Sequence, residues 1–281
     1  MLKLTFADAG GIPLCPALDS SEVERWRDAA GSVAAYAVTA GGLHWVVIPE
    51  VATFCFGDGS GEMIAVSQPG VEVEHVRELY RRVVLPAALQ ALGCEALHAS
   101  GVRSHHGVLA LCGASGAGKS TLAFALGRRG YPIWADDSVV LEFCGGQLVV
   151  VPTPFRLRLR PPVATFFGLS TAPACEDGLG SSEPVPLAGV FFLERFVASP
   201  AENPLELLRL SRADAFVGAL RHVNCFSVKD SDRRGRLIGN YLDLVASVPV
   251  FRLRFASGLA RLPEVVEAFT AAVDRTLVPP S

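Results

Sequence analysis

Residues Gly113-Ala114-Ser115-Gly116-Ala117-Gly118-Lys119-Ser120 fill the pattern G-x-x-x-x-G-K-[ST], and Thr121 and the apolar Leu122-Ala123-Phe124 follow at once. The apolar run Val108 to Cys112 comes directly before it, so the segment has the strand, loop and helix context in which this pattern cradles phosphates. Glycines let backbone N–H groups turn inward, and the helix start adds partial positive charge. A lysine reaches the outer phosphates and the serine hydroxyl binds Mg²⁺. Lysine is scarce here, present only as Lys3, Lys119 and Lys229 beside many arginines, which makes a lysine at this point informative. Residues 113–121 are therefore the candidate nucleotide-binding segment, and a mere glycine turn is a poor account of them.

Two adjacent acids, Asp136 and Asp137, follow at short range. The spacing predicts a helix from Lys119 to Arg129, about 16 Å long at 1.5 Å per residue, stopped by Gly130 and Pro132. An extended return over Tyr131 to Ala135, at about 3.3 Å per residue, covers the same distance. A parallel neighbour of the Val108 to Cys112 strand, reached by a right-handed crossover, would then deliver both acids beside the loop. There one acid can hold Mg²⁺ and the other accept the proton of an attacking hydroxyl. An isolated Asp pair would read as an ordinary strand-end turn; the computed return favours the site.

His98 lies in Ala96-Leu97-His98-Ala99-Ser100, and a hairpin turning at Arg103 to His106 would set it opposite the end of the Val108 to Cys112 strand. Taken alone, a histidine in an apolar strand is a packed core residue. The histidines at 44, 75, 105, 106 and 222 are read as structural. In Pro154-Phe155-Arg156-Leu157-Arg158-Leu159-Arg160, alternate arginines share one face of an extended segment. That face suits carboxylates or a transferring phosphate, or it is a charged edge strand. Arg233 and Arg234 could act similarly, with less support.

These residues need a scaffold, and the chain can build one. Of 281 residues 50% are hydrophobic and 19% charged, which excludes a disordered chain and allows one large or two small domains. A net charge of -3 without long runs of one sign argues against a nucleic-acid partner. No apolar stretch approaches the roughly 20 residues of a membrane span, and the start of the chain is not a secretory signal, so the expected location is cytoplasmic. The 7 cysteines are widely spaced without a Cys-x-x-Cys pair and read as reduced thiols.

Short apolar runs at Val33 to Val38, His44 to Ile48 and Thr53 to Phe56, separated by glycines, predict antiparallel strands. Helical spacing from Val73 to Leu92 is interrupted at Pro86 and stopped at Gly93. Further strands are expected at Pro132 to Ala135, Ser138 to Phe143, Gln147 to Val151, Val190 to Leu193 and Val250 to Phe255. Helices are expected at Arg212 to Leu220, Leu237 to Val245 and Pro263 to Val273, and residues 170–186 are expected to form a mobile loop or an insertion. The expected organisation is a β-rich region with a linking helix over residues 1–90, binding substrate or covering the core, and an α/β domain over 91–281.

The stretch from Leu97-His98-Ala99-Ser100 through Gly113 to Ser120, then Gly130-Tyr131 and Ala135-Asp136-Asp137, resembles the HPr kinase/phosphorylase family and its shorter relatives. The match covers residues 96–143, with weaker likeness at Pro186 to Glu194 and Val248 to Leu253. A short interval between lysine and acid pair is its specific mark. The resemblance implies a phosphoenolpyruvate-carboxykinase-like P-loop kinase core with ATP and Mg²⁺ as cofactors. It further implies Lys119 on the β- and γ-phosphates, Ser120 with Asp137 on Mg²⁺, and Asp136 as general base assisted by His98. The glycine-containing signature that follows the core in bacterial HPr kinases is not found. The compact relatives, which include lasso-peptide precursor kinases, are more similar. The expected activity is thus a serine kinase acting on a peptide or small protein, with a homo-oligomer compatible. The alternatives are a small-molecule alcohol kinase and a non-catalytic nucleotide-sensing module.

Overall fold

The structure is a computed structural model that describes residues 2–16, 23–27, 30–144, 146–169, 175–179, 183–197, 199, 202–223 and 231–277. The chain divides into two compact units, Met1–Cys94 with Cys225–Arg234, and Glu95–Asn224 with Gly235–Ser281.

In the first unit the glycine-punctuated apolar runs form one sheet of β1 (Lys3–Phe6), β2 (Glu24–Arg27), β3 (Val33–Ala40), β4 (Leu43–Ile48), β5 (Ala52–Gly57) and β6 (Glu62–Ser67). Its order is β1-β6-β5-β4-β3-β2, antiparallel except for the β1–β6 pair. Val38, Trp45 and Cys55 pack with Val23 on one face. His44 is structural, as its sequence setting suggests. Its ring stacks on Phe56 at 4.7 Å, Nε2 meets Asp58 Oδ1 at 2.8 Å and Nδ1 meets Thr39 Oγ1 at 3.0 Å.

The helical stretch after β6 is α1 (Val73–Leu79), a π-helical turn over Tyr80–Val84, and α2 (Leu85–Ala91). Pro86 has no N–H to give and its ring crowds the preceding turn, so a regular α-ladder cannot pass through it. The chain absorbs this by widening one turn, with the Leu85 N–H bonded five residues back to the Tyr80 carbonyl.

The second unit begins with β7 (Glu95–Leu97), β8 (Ala99–Ser104), β9 (Gly107–Cys112), α3 (Lys119–Gly127), β10 (Ile133–Ala135), β11 (Val139–Cys144) and β12 (Gln147–Val151). It continues with β13 (Pro154–Arg158), α4 (Pro161–Phe166), β14 (Cys175–Leu179), β15 (Val185–Phe196), β16 (Leu205–Arg209), α5 (Arg212–Leu220), α6 (Ser231–Ser247, from Gly235 onward), β17 (Val250–Ala256) and α7 (Leu262–Thr276). Strand β9 is buried at all six positions, the mark of a strand covered on both faces. It runs parallel to β15, and β15 runs parallel to β17. Antiparallel β8 and β16 flank this parallel trio, and the first residues of β15 join a wing of β12, β11 and β7. Leu122 and Leu126 of α3 and Val265, Phe269 and Val273 of α7 pack on Leu109, Leu111, Phe191 and Leu253 of the sheet.

Two expectations need correction. Strand β10 does not lie next to β9. It pairs antiparallel with β8, which stands between them, so β10 still runs in the direction of β9 and ends at the same edge. The stretch expected as a loop over 170–186 contains β14, paired antiparallel with β13, and the start of β15; residues 170–174 and 180–182 lie outside the described residues. Pairing partners far away in sequence override a composition rich in turn formers.

Candidate active site

The glycine loop, Lys119, Ser120, His98 and the Asp136–Asp137 pair sit at one edge of the second unit's sheet. The chain leaves β9 at Cys112, turns through residues 113–118 and enters α3 at Lys119. Gly118 is the N-cap of α3 with φ at 105°, a conformation that costs any residue bearing a Cβ. The last residue of β9, Cys112, is paired with Ala99, the first residue of β8. His98 and Ser100 therefore flank the loop, as the predicted hairpin requires. Val102 and Gly101 pair with Ile133 and Ala135 of β10, which brings Asp136 up beside Ser100.

The side chains meet there. Lys119 Nζ, buried, donates to the Gly113 carbonyl at 2.8 Å and lies 3.0 Å from His98 Nε2. His98 Nδ1 lies 3.0 Å from the carbonyl oxygen of Asp137, which can only accept. Nδ1 thus carries the proton and Nε2 offers its lone pair to the lysine. Asp137 has φ at 63°, a left-handed conformation that aspartate tolerates better than most residues, and this turns the chain out of β10. Asp136 Oδ1 accepts from Ser120 Oγ at 2.9 Å and from Ser100 Oγ at 2.5 Å.

Burial sets the electrostatics. It raises the Asp136 carboxyl above the usual carboxylate range, and neighbouring Asp137 adds to this, while the hydroxyls of Ser100 and Ser120 pull the other way. Burial also lowers the Lys119 ammonium, against the pull of Asp137 and Asp136. Cys112, beneath the loop, is pushed up to about 12 by burial and stays a neutral thiol.

The structure brings together Lys119, Ser120, Asp136, Asp137 and His98. Ser120 contacts Asp136, and His98 contacts Lys119 and the Asp137 backbone carbonyl. The hydroxyl that supports Asp136 beside Ser120 is Ser100, fully buried. Ser100 was legible as part of the Leu-His-Ala-Ser strand but carried no signal of its own.

His222, read as structural, also reaches this edge. Its carbonyl accepts from the His98 N–H at 2.6 Å, its ring lies 5.4 Å from that of Phe192, and burial, then His98, Lys119 and Arg221, lower its pKa. Nothing local in the sequence could have found it, because the bridge between Leu97 and Val223 that places it spans most of the second unit.

Of the arginine face, Phe155, Leu157 and Leu159 are buried against Phe124 and Val163, leaving Arg156 part-exposed and Arg158 and Arg160 exposed. The Arg160 guanidinium lies over the loop, 3.4 Å from where a Cβ on Gly116 would sit. Arg233 belongs to the other unit, where Nη2 donates to the Cys94 carbonyl at 3.4 Å.

No family model matches the chain, and no curated protein does. Among solved structures it is similar to the Hpr(Ser) kinase/phosphatase from Coxiella burnetii, at a TM-score of 0.34 and 14% identity over 64% of this chain and 90% of that one. No helix among the described residues is long and apolar enough to cross a membrane. What is established for this chain is a mixed α/β architecture.

Proposed function

We propose that this chain is an ATP-dependent, Mg²⁺-requiring kinase with a P-loop core of the phosphoenolpyruvate-carboxykinase-like type, moving the γ-phosphoryl group to a serine hydroxyl of a peptide or small protein. The observation that carries the reading is the 2.9 Å contact between Ser120 of the glycine loop and Asp136 of the acid pair. It joins the phosphate-binding pattern to a carboxylate at the position where an acceptor hydroxyl would be activated.

The oxygen donors Ser120 and Asp137 fit a hard cation, with no soft ligand among them. Bound Mg²⁺ would neutralise charge on the phosphate oxygens. Lys119 exchanges its Gly113 carbonyl partner for outer phosphate oxygens, and the imidazole of His98 keeps the ammonium aimed at the loop. The loop N–H groups and the start of α3 hold the remaining phosphates. Asp136 accepts the acceptor's proton, and its raised proton affinity suits that task better than an ordinary surface carboxylate would. The two hydroxyls on Oδ1 fix the carboxylate plane. Arg160, over Gly116, is placed to meet an anionic acceptor or the transferring group.

Calorimetric titration with ATP and a transfer assay with a serine peptide test this. Lys119→Ala should sharply weaken ATP binding. Asp136→Asn should bind ATP nearly as wild type does but lose transfer by about 100-fold or more, and replacing the peptide's serine by alanine should abolish the product. Equal ATP affinity for wild type and Lys119→Ala would overturn the assignment. Rapid acceptor-independent hydrolysis would point instead to an ATPase.

A further inference from the structure

The far end of the same sheet holds a second cluster of chemistry-bearing side chains that phosphoryl transfer does not use. His105 and His106 form the tip of the β8–β9 hairpin, and Asp274 lies in the last turn of α7. One donor atom from each lies within 4.8 Å of the other two, the group of this kind found among the described residues. The two imidazoles are neighbours, their ring centroids 3.8 Å apart and tilted by 42°. Strand β9 separates them from the phosphate loop by its six residues, about 20 Å of extended chain.

Adjacent residues at a hairpin tip usually diverge, but here the backbone holds them together. Ser104 Oγ accepts from the His106 N–H at 3.2 Å and donates to the Gly107 carbonyl at 2.9 Å, closing the turn. Gly107 has φ at 128°, and a Cβ there would stand 2.3 Å from the Pro186 carbonyl oxygen, so the turn admits no other residue without rearrangement. On His106, Nε2 is buried without a hydrogen-bond partner among the described residues. A buried ring nitrogen left unpaired is costly and calls for an explanation. Tyr131, whose phenol burial holds above its usual pKa with Asp274 adding to the effect, stays neutral beside the cluster.

We infer that His105, His106 and Asp274 bind one divalent transition-metal cation of the zinc type. Two imidazoles and one carboxylate are the ligands such ions take, and a fourth, solvent-facing position completes a tetrahedral shell. The nitrogen donors select against Mg²⁺, which keeps this site distinct from the nucleotide's cation. Small side-chain rotations bring the donors to coordination distance, because His105 and Asp274 are exposed and can move. The ion would tie the hairpin tip to the end of α7 and stabilise the folded second unit by binding it in preference to the unfolded chain.

The test uses the full, untagged chain stripped of metal and titrated with Zn²⁺, then with Co²⁺ as a spectroscopic stand-in. The expected result is one Zn²⁺ per chain, a higher melting temperature with Zn²⁺ but not with Mg²⁺, and visible Co²⁺ absorption bands of tetrahedral type. His105→Ala and Asp274→Asn, both at exposed positions, should each weaken Zn²⁺ binding by about 10-fold or more. His106→Ala should do the same, with circular dichroism to verify that it folds. Absence of Zn²⁺ binding by wild type, or binding that survives His105→Ala and Asp274→Asn unchanged, overturns the inference. Neither outcome touches the kinase reading, whose tests are ATP affinity and transfer.

Discussion

Asp136 is pulled in two directions, by burial that favours its protonated form and by two hydroxyls that favour the carboxylate. If Ser100 positions this group as a base, Ser100→Ala removes one of the hydroxyls, and the acid limb of the pH–rate profile should move to higher pH while ATP affinity holds. An unmoved limb would leave Ser100 a packing residue. Stability gives an independent reading. With its folded-state pKa raised above 3.8, Asp136 contributes stability that is fully present below that pH and is lost as pH rises through the folded-state value. An Asn side chain keeps an oxygen for Ser100 and Ser120 and has no charge to bury. Asp136→Asn should therefore melt at a higher temperature than wild type at neutral pH, and the difference should shrink as pH falls toward 3.8. Thermal melts across that range check this, and a difference independent of pH would contradict it.

At the scale of the element, the strand, loop and helix around residues 107–127 illustrate how local chemistry dictates local structure. Gly118 is the hinge of that turn, and its positive φ needs a residue without a Cβ. Gly118→Ala should destabilise the chain by about 1–3 kcal/mol in denaturant titration and weaken ATP binding as well, since the loop N–H groups would no longer converge. Unchanged stability would mean that the loop accommodates the methyl group by relaxing. Strand β13 shows the complementary case. Its alternation of Phe155, Leu157 and Leu159 with arginines was legible as period two, yet its partner β14 lay in a stretch whose Gly, Ser and Pro content signalled a loop.

At the scale of the whole molecule, the site depends on a core that it does not touch. Phe269 of α7 is fully buried, its ring 5.1 Å from that of Phe191 in β15, and together they seat α7 on the sheet that carries β9. Phe269→Ala should cost about 3–5 kcal/mol, read as a lower denaturant midpoint, because a cavity adds to the lost burial. A loss below about 1 kcal/mol would mean that the neighbours collapse into the space.

The sequence by itself determined what neighbouring residues decide: the glycine loop between an apolar strand and a helix, the hairpin that sets Ala99 opposite Cys112 and so His98 beside the loop, and a return just long enough to bring two acids back. Each follows from spacing, turn chemistry and the rise per residue, which are local quantities. Tertiary structure decided the neighbours. It inserted β8 between β9 and β10, gave Ser120 and Ser100 to Asp136, turned His98 toward Lys119, and brought His222 to the same edge. These pairings join residues of different segments. They are selected by burial of whole faces and by the need of every buried polar group for a partner, and periodicity within one segment carries no record of either.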